Sequence, residues 1–384
     1  MKITKCVINY GIRLVALTII GVFIFALYRQ TPTERSFEIA AGPNEALAEL
    51  LAIAEKGVPI NPDPYASSTY QPDDVLYPAM ALIQRRGYAE DLLSELAEQG
   101  NVDAMFWLGI VHNSGFYSGS KYFLQAAELG NPYAALMLDK DNPSCKRNCD
   151  AKWGELGRKI LRERAAQGDA KAGYALYLNI QYQKPSLGYL FNRKEYEAKG
   201  QGPFQVLLKA AKDGIKQNYY KPLSTLLDLY TYRYALMPFN DNKVPLTKKE
   251  QAILFKVMEI AVNNNDIGVI AGLSSSPDGW RLNAADRVID FVDETYRLFA
   301  YEAFSLMALK DRAYAIRGYA RAITYQERYK GMGTVFNIGI YEDTLEDANV
   351  SLLSKKEKAQ ARLLADQYLK NYAPILDVDE TRTR

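Results

Sequence analysis

The segment AEQGNVDA at residues 97–104 returns as AELGNPYA at residues 127–134. In each copy an alanine (Ala97, Ala127) is followed three places on by glycine (Gly100, Gly130). A second alanine (Ala104, Ala134) stands four places after that. The spacing has a backbone reason. The first alanine ends a helix, and its small side chain lets a neighbouring helix approach closely. The glycine takes the left-handed conformation that stops the helix. Asn101 or Asn131 follows, a good N-cap for the next helix. The second alanine then lies inside that helix, near the crossing. Each copy therefore predicts a tight helix–turn–helix. One such pair cannot bury its apolar face alone, so pairs must stack.

Ala165, Gly168 and Ala172 repeat the pattern, with Asp169 as the cap. A looser copy has Ala211 and Gly214, with Asn218 in the last slot. Traces persist at Ala261, Asn264 and Gly268, and at Ala308, Asp311 and Ala315. The first positions are separated by 30, 38, 46, 50 and 47 residues, close to the periods of helical repeats. Ala54 with Gly57 reads as an earlier relic. TKKE (Thr247 to Glu250) and SKKE (Ser354 to Glu357) read as capping boxes. No β-alternation of useful length occurs. The segment from Gln183 to Pro203 reads as a long inserted loop, and 355–372 as a polar-rich capping helix. The expected fold is all-α, with a repeat domain over 44–376 and a disordered tail over 377–384.

The N-terminus carries Lys2, Lys5 and Arg13 ahead of an apolar run from Leu14 to Tyr28. Extended back to Val7, the run is long enough to span a bilayer, with Arg13 snorkelling to the headgroups. The alternative is a cleaved secretory signal, but FALYRQTP after the run is too bulky for a small-x-small cleavage site. Residues 1–30 are read as a cytoplasmic tip and anchor, with the membrane contact over 7–28. Residues 31–43 are read as a linker. Basic residues before the run mildly favour a cytoplasmic N-terminus and an extracytoplasmic domain.

The stretch AEQGNVDAMFWLGIVHNSGFYSGSKYFLQAAELG (97–130) resembles a Sel-one-like repeat, a relative of the tetratricopeptide repeats. The family pattern runs Ala-x-x-Gly-x-x-x-Ala, then Leu-Gly-x-x-Tyr-x-x-Gly, then an aromatic pair before Ala-Ala-Glu-x-Gly. This chain supplies Leu108–Gly109, Gly115, Tyr122–Phe123 and Ala126–Ala127–Glu128–Leu129–Gly130. It departs at His112, which stands in the tyrosine slot, and in its shorter loop. The resemblance covers Leu92 to Leu178 and is faint beyond about residue 215. It implies an α-solenoid and a role in protein–protein contact, and it implies no catalytic residue.

Composition narrows the function classes. A net charge of +2 with interspersed signs gives no electrostatic case for nucleic acid. His112 is the single histidine and is read as a packing or loop residue, so acid–base and metal chemistry lose their usual donor. GFYSGS (115–120) lacks the lysine of a phosphate loop. The acidic pairs Asp73–Asp74, Asp293–Glu294 and Glu346–Asp347 read as solvated helix ends. No catalytic residue, cofactor, metal or small-molecule substrate is expected. Cys145 and Cys149 are read as a local disulfide in an extracytoplasmic loop, or else as two free thiols in a cytoplasmic one.

The 28 tyrosines carry the binding expectation. Tyr174, Tyr177, Tyr182, Tyr230 and Tyr234 are candidates to line a partner surface, where tyrosine offers contact area and a hydrogen-bonding tip. The alternative is a tyrosine-rich core. Trp153 and Trp280, beside loops, are candidate exposed anchors, and Trp107 is read as core. The expected role is a membrane-anchored, extracytoplasmic, non-catalytic adaptor that binds another protein of an envelope complex. An immunity protein that neutralises a periplasmic toxin is the alternative. An envelope hydrolase is a distant third.

Overall fold

The computed structural model describes residues 69–113, 119–182, 203–230, 248–264, 294–332, 337–371, 374, 376 and 378–381, with isolated helical positions at 49, 52, 53 and 56. The expected membrane segment 7–28, the linker 31–43 and most of the insertion 183–203 lie outside these residues. No helix among the described residues is long and apolar enough to cross a membrane.

The described residues form fourteen helices and no strand. They are α1 (Tyr77–Met80), α2 (Arg86–Glu98), α3 (Val102–His112), α4 (Ser120–Glu128), α5 (Pro132–Met137), α6 (Ala151–Ala166) and α7 (Ala170–Tyr182). After these come α8 (Pro203–Lys216), α9 (Lys221–Tyr230), α10 (Lys248–Asn263), α11 (Glu294–Ala308), α12 (Ala313–Arg328), α13 (Ile338–Asp347) and α14 (Lys355–Asn371). From α1 to α10 each helix packs on the next, and α3 also touches α5, as α7 touches α9. Helices α11 to α13 pack in sequence, and α14 folds back on α12. This sequential packing of neighbours is consistent with a repeat fold.

Three corners share one design. Gly100, Gly130 and Gly168 have φ of 87°, 90° and 97°, the left-handed region that L side chains avoid. At each corner the glycine N–H donates to the carbonyl three residues back (Ala97, Ala127, Ala165). The next N–H donates to the carbonyl five back (Leu96, Ala126, Arg164). These two bonds close a Schellman motif and satisfy carbonyls the helix end leaves open. The side chains of Asn101, Asn131 and Asp169 then accept from the N–H groups of Ala104, Ala134 and Ala172, each at 2.9 Å. Those three alanines are completely buried. Eight residues thus stop one helix, start the next and set their closest approach.

The fourth corner corrects the sequence reading. Gly214 does not stop its helix; it lies inside α8, where a Cβ would run into the carbonyl of Tyr219. The turn sits four residues later, at Asn218, with φ of 55°. Asparagine tolerates this conformation because its short polar side chain can bond locally. Asn349, with φ of 58°, turns the chain after α13 in the same way. Gly109 acts through absence of bulk: a Cβ there would enter the Phe123 ring, so α3 and α4 meet at van der Waals distance.

Two apolar cores form among the described residues. The first gathers Phe106, Trp107, Leu108, Phe123, Ala134 and Leu138. The second gathers Tyr301, Phe304, Tyr319 and Tyr341, with Ala361 and Ala365 of α14. Helix α14 opens on a capping box: Ser354 N–H donates to Glu357 Oε2 at 2.7 Å, and Glu357 N–H donates to Ser354 Oγ at 3.3 Å. Arg312 Nε donates to the same carboxylate at 2.8 Å. These bonds, that of Arg312 foremost, hold Glu357 down at about 2.

The two ends of the described chain meet. Arg85 Nη2 donates to Tyr325 Oη at 2.6 Å, and Tyr88 Oη donates to the Gly331 carbonyl at 3.2 Å. Thr69 N–H donates to the Leu376 carbonyl at 2.6 Å, and Tyr77 Oη to that of Pro374 at 2.6 Å. Within the stretch 377–384, read from the sequence as a disordered tail, residues 378–381 are described and lie against the helices. Leu376 is fully buried in the first core, Val378 packs against it, and Asp379 and Glu380 are buried. Burial of an apolar residue and pairing of the charges hold this short polar segment in place.

Asn introduced at a corner and at a crossing should behave oppositely. Gly130→Asn should cost about 1 kcal/mol or less, because open space surrounds the site and asparagine enters the left-handed region. Gly109→Asn should cost at least ~2 kcal/mol, because the side chain displaces Phe123. Urea unfolding measures both; equal losses would contradict this account.

Candidate functional site

Counting from the left-handed corners exposes an equivalence. The third residue after each corner is Asp103, Tyr133, Lys171 and Lys221 in turn. All four stand at the N-terminal ends of alternate helices, α3, α5, α7 and α9. A common backbone geometry therefore places four side chains of three chemical kinds in one register. The C-terminal segment 376–381 runs beside them.

Lys171 Nζ lies 2.8 Å from Glu380 Oε2, and Lys221 Nζ lies 3.2 Å from Asp379 Oδ2. Tyr70 Oη donates to Glu380 Oε1 at 3.2 Å and accepts from Trp107 Nε1 at 2.8 Å. Tyr219 Oη donates to Asp379 Oδ2 at 2.8 Å. Thr381 N–H turns back onto Asp379 Oδ1 at 2.9 Å, closing the segment. Asp103 Oδ1 accepts from Asn131 Nδ2 at 3.0 Å. Lys171 also lies over the Tyr133 ring, 5.5 Å from its centroid.

The charges act on one another. Burial alone pushes the Asp379 carboxyl up, but Lys221, the hydroxyls of Thr381 and Tyr219, and Lys171 outweigh it and hold the group below its usual range. Burial lowers Lys171, yet Glu380 and then Asp379 and Asp103 raise it above the ordinary lysine value. Burial first, then neighbouring carboxylates, pushes the phenols of Tyr70, Tyr133 and Tyr219 well above the free value. The site thus sets two lysines and three phenols around two acidic side chains, next to an apolar slot filled by Leu376. Its chemistry is that of holding a polypeptide segment. No cluster of three or more metal-ligating side chains occurs among the described residues.

Some of the sequence candidates converge here. Tyr174 and Tyr177 on α7 stack with centroids 6.2 Å apart, and Tyr174 meets Tyr219 edge-on at 6.4 Å. Tyr174 Oη shares a hydrogen bond with Thr225 Oγ1 at 2.8 Å. Tyr177 is buried, so it belongs to the packing rather than to an open stripe. Tyr182 and Tyr230 are the last residues of α7 and α9, and their side chains are not among those described. Tyr234 and Trp280 lie outside the described residues. Trp153 is half-buried against the first core, with Lys152 Nζ 4.9 Å from its ring centroid; it is not the exposed anchor expected. Cys145 and Cys149 are joined, with an S–S distance of 2.08 Å. His112 stacks on Tyr122 and lies 3.0 Å from Glu90 Oε1.

Sequence reasoning missed Tyr70, Lys171, Lys221, Asp379 and Glu380. The corner count could have found both lysines, since the corners themselves are written in the sequence. Nothing in DVDETRTR marks two of its carboxylates for burial.

No family model, curated protein or solved structure matches the chain.

The site should weaken in acid. The folded pKa of Asp379 lies below its unfolded value of about 3.9. Its contribution is complete above that value and is lost as pH falls through the folded one. Lys171, raised, contributes below about 10.4 and loses that contribution as pH climbs through its folded value. Unfolding midpoints between pH 7 and pH 3 should fall more for the native chain than for Asp379→Asn. At pH 7, Lys221→Ala should cost about 3 kcal/mol, because it leaves a fully buried carboxylate undercompensated. Parallel pH profiles for native and Asp379→Asn chains would refute the assignment.

Proposed function

We propose that this chain is a Sel-one-like, tetratricopeptide-like α-solenoid that acts as a non-catalytic adaptor. A helix over 7–28 tethers it to the cytoplasmic membrane, with the N-terminus in the cytoplasm and the helical domain outside, where it holds another protein. The observation that carries the reading is the register of Asp103, Tyr133, Lys171 and Lys221 along alternate helices, with a non-helical polypeptide segment lodged against it. Stacked helix pairs offer such rows because each repeat places an equivalent residue on the same side. A segment held this way gains affinity from a buried apolar residue and selectivity from charge pairing. The Cys145–Cys149 disulfide suits an oxidising compartment. The chemistry of the row supports binding and offers no paired nucleophile and base.

Affinity capture from native membranes with residues 31–384 tests this. One protein should be recovered reproducibly, and Lys171→Glu with Lys221→Glu should abolish its recovery while the domain stays helical by circular dichroism. Recovery that ignores both substitutions would count against the row as the binding element. A cysteine placed after Arg384 should react with a membrane-impermeant maleimide in cells whose outer barrier has been opened; protection until the cytoplasmic membrane is lysed would reverse the topology.

A further inference from the structure

We propose that the seat around Leu376, Asp379 and Glu380 recognises an extended partner segment with an apolar residue followed, three and four places on, by two adjacent carboxylates, and that the chain's own C-terminus is its resident stand-in. This rests on the protein-binding reading above and names the chemistry of the bound segment.

The residues divide the work. Leu376 fills an apolar slot in the first core, completely buried. Three residues later Asp379 meets Lys221 and Tyr219, and Glu380 meets Lys171 and Tyr70. A strap whose purpose is stability has no need of this. Buried ion pairs contribute little over apolar packing of similar volume, while they discriminate sharply between chains that carry the matching charge and chains that do not. One polar group of the receptor side is also left unused by its present occupant. The Tyr133 hydroxyl is buried within electrostatic reach of Glu380 and has no hydrogen-bond partner among the described residues. Such a donor carries a desolvation cost that a better-fitting occupant would relieve.

The occupant also contributes no helix of its own. It lies beyond the end of α14 at Asn371, and residues 374, 376, 378 and 379 belong to no helix or strand. Its departure breaks no helix. While docked it competes as an intramolecular ligand at an effective concentration on the order of millimolar. An external segment must overcome that concentration, so the native chain admits only a partner of high local concentration or better fit. The receptor groups come from α5, α7 and α9, the turn before α9 and the segment before α1, so they persist when the tail leaves.

The test uses the full chain in detergent and a fluorescein-labelled peptide with the sequence of residues 374–384, PILDVDETRTR. Its control carries Asn and Gln in place of the residues matching Asp379 and Glu380. In the Asp379→Asn, Glu380→Gln chain the resident tail is weakened. That chain should bind the acidic peptide at least about tenfold tighter than the native chain, measured by fluorescence anisotropy. The control peptide should bind at least about tenfold more weakly. Adding Lys171→Ala should reduce the preference between the peptides, because only Lys221 then faces a carboxylate of the segment. If the double variant keeps its helical signal and cooperative unfolding but binds neither peptide, or both equally, the segment is a fixed strap and the inference fails. Light scattering that shows native dimers, dissolved by truncation after residue 373, would mean that a second copy supplies the segment and would overturn the partner's identity. The adaptor reading is judged separately: membrane capture that succeeds while the peptide fails sinks only the present inference, and the reverse pattern sinks the adaptor.

Discussion

The structure depends on a backbone conformation that ordinary residues avoid. At Gly100, Gly130 and Gly168 the chain turns left-handed, and everything local follows from that turn. Two carbonyls of the finished helix gain donors, the next residue becomes an N-cap, and the following alanine is carried into the crossing. Any side chain larger than methyl at Ala104, Ala134 or Ala172 would meet a fully packed neighbour, because all three are completely buried. The corner is thus a chemical device of eight residues whose repetition forces sequential packing. Where glycine is missing, at Asn218 and Asn349, asparagine takes the same conformation, so the device survives a change of residue type.

That geometry also arranges the candidate site. A corner that fixes the first turn of a helix fixes where the third residue after it stands. The chain uses this slot for a carboxylate, a phenol and two ammonium groups in succession. Two buried carboxylates on a passing segment then find partners already in position. The segment joins regions far apart in sequence: Thr69 and Tyr77 bond to the backbone at 376 and 374, while Tyr219 and Lys221 hold Asp379. Contacts of Arg85 and Tyr88 with the end of α12 reinforce this meeting of the ends.

Much of the fold was legible because its determinants are local. Glycine, Asn or Asp, and alanine at set offsets specify a turn without reference to anything distant. The capping box Ser354 to Glu357 is equally local, and both halves of it are made. The reading failed where a local rule had two solutions. Gly214 fitted the corner spacing, yet the helix continued through it, because glycine there relieves a clash with the Tyr219 carbonyl rather than supplying a left-handed turn. Trp153 lay beside a loop, but proximity to a loop says nothing about which face of α6 meets the core.

The candidate site was less legible, since it depends on contacts between residues more than 150 positions apart. Tyr174 and Tyr177 drew attention by their chemistry, but Lys171 and Lys221 look like any surface lysines, and the tail looks like any charged terminus. A carboxylate has no sequence signature for burial; its fate depends on whether cations wait where the chain passes. The sequence by itself determined the helices, their corners and the order in which they pack, because hydrogen bonds within a few residues decide those. Only the tertiary structure decided that the C-terminus returns to the first core and surrenders two charges to it, because that outcome rests on long-range burial and pairing that no local pattern encodes.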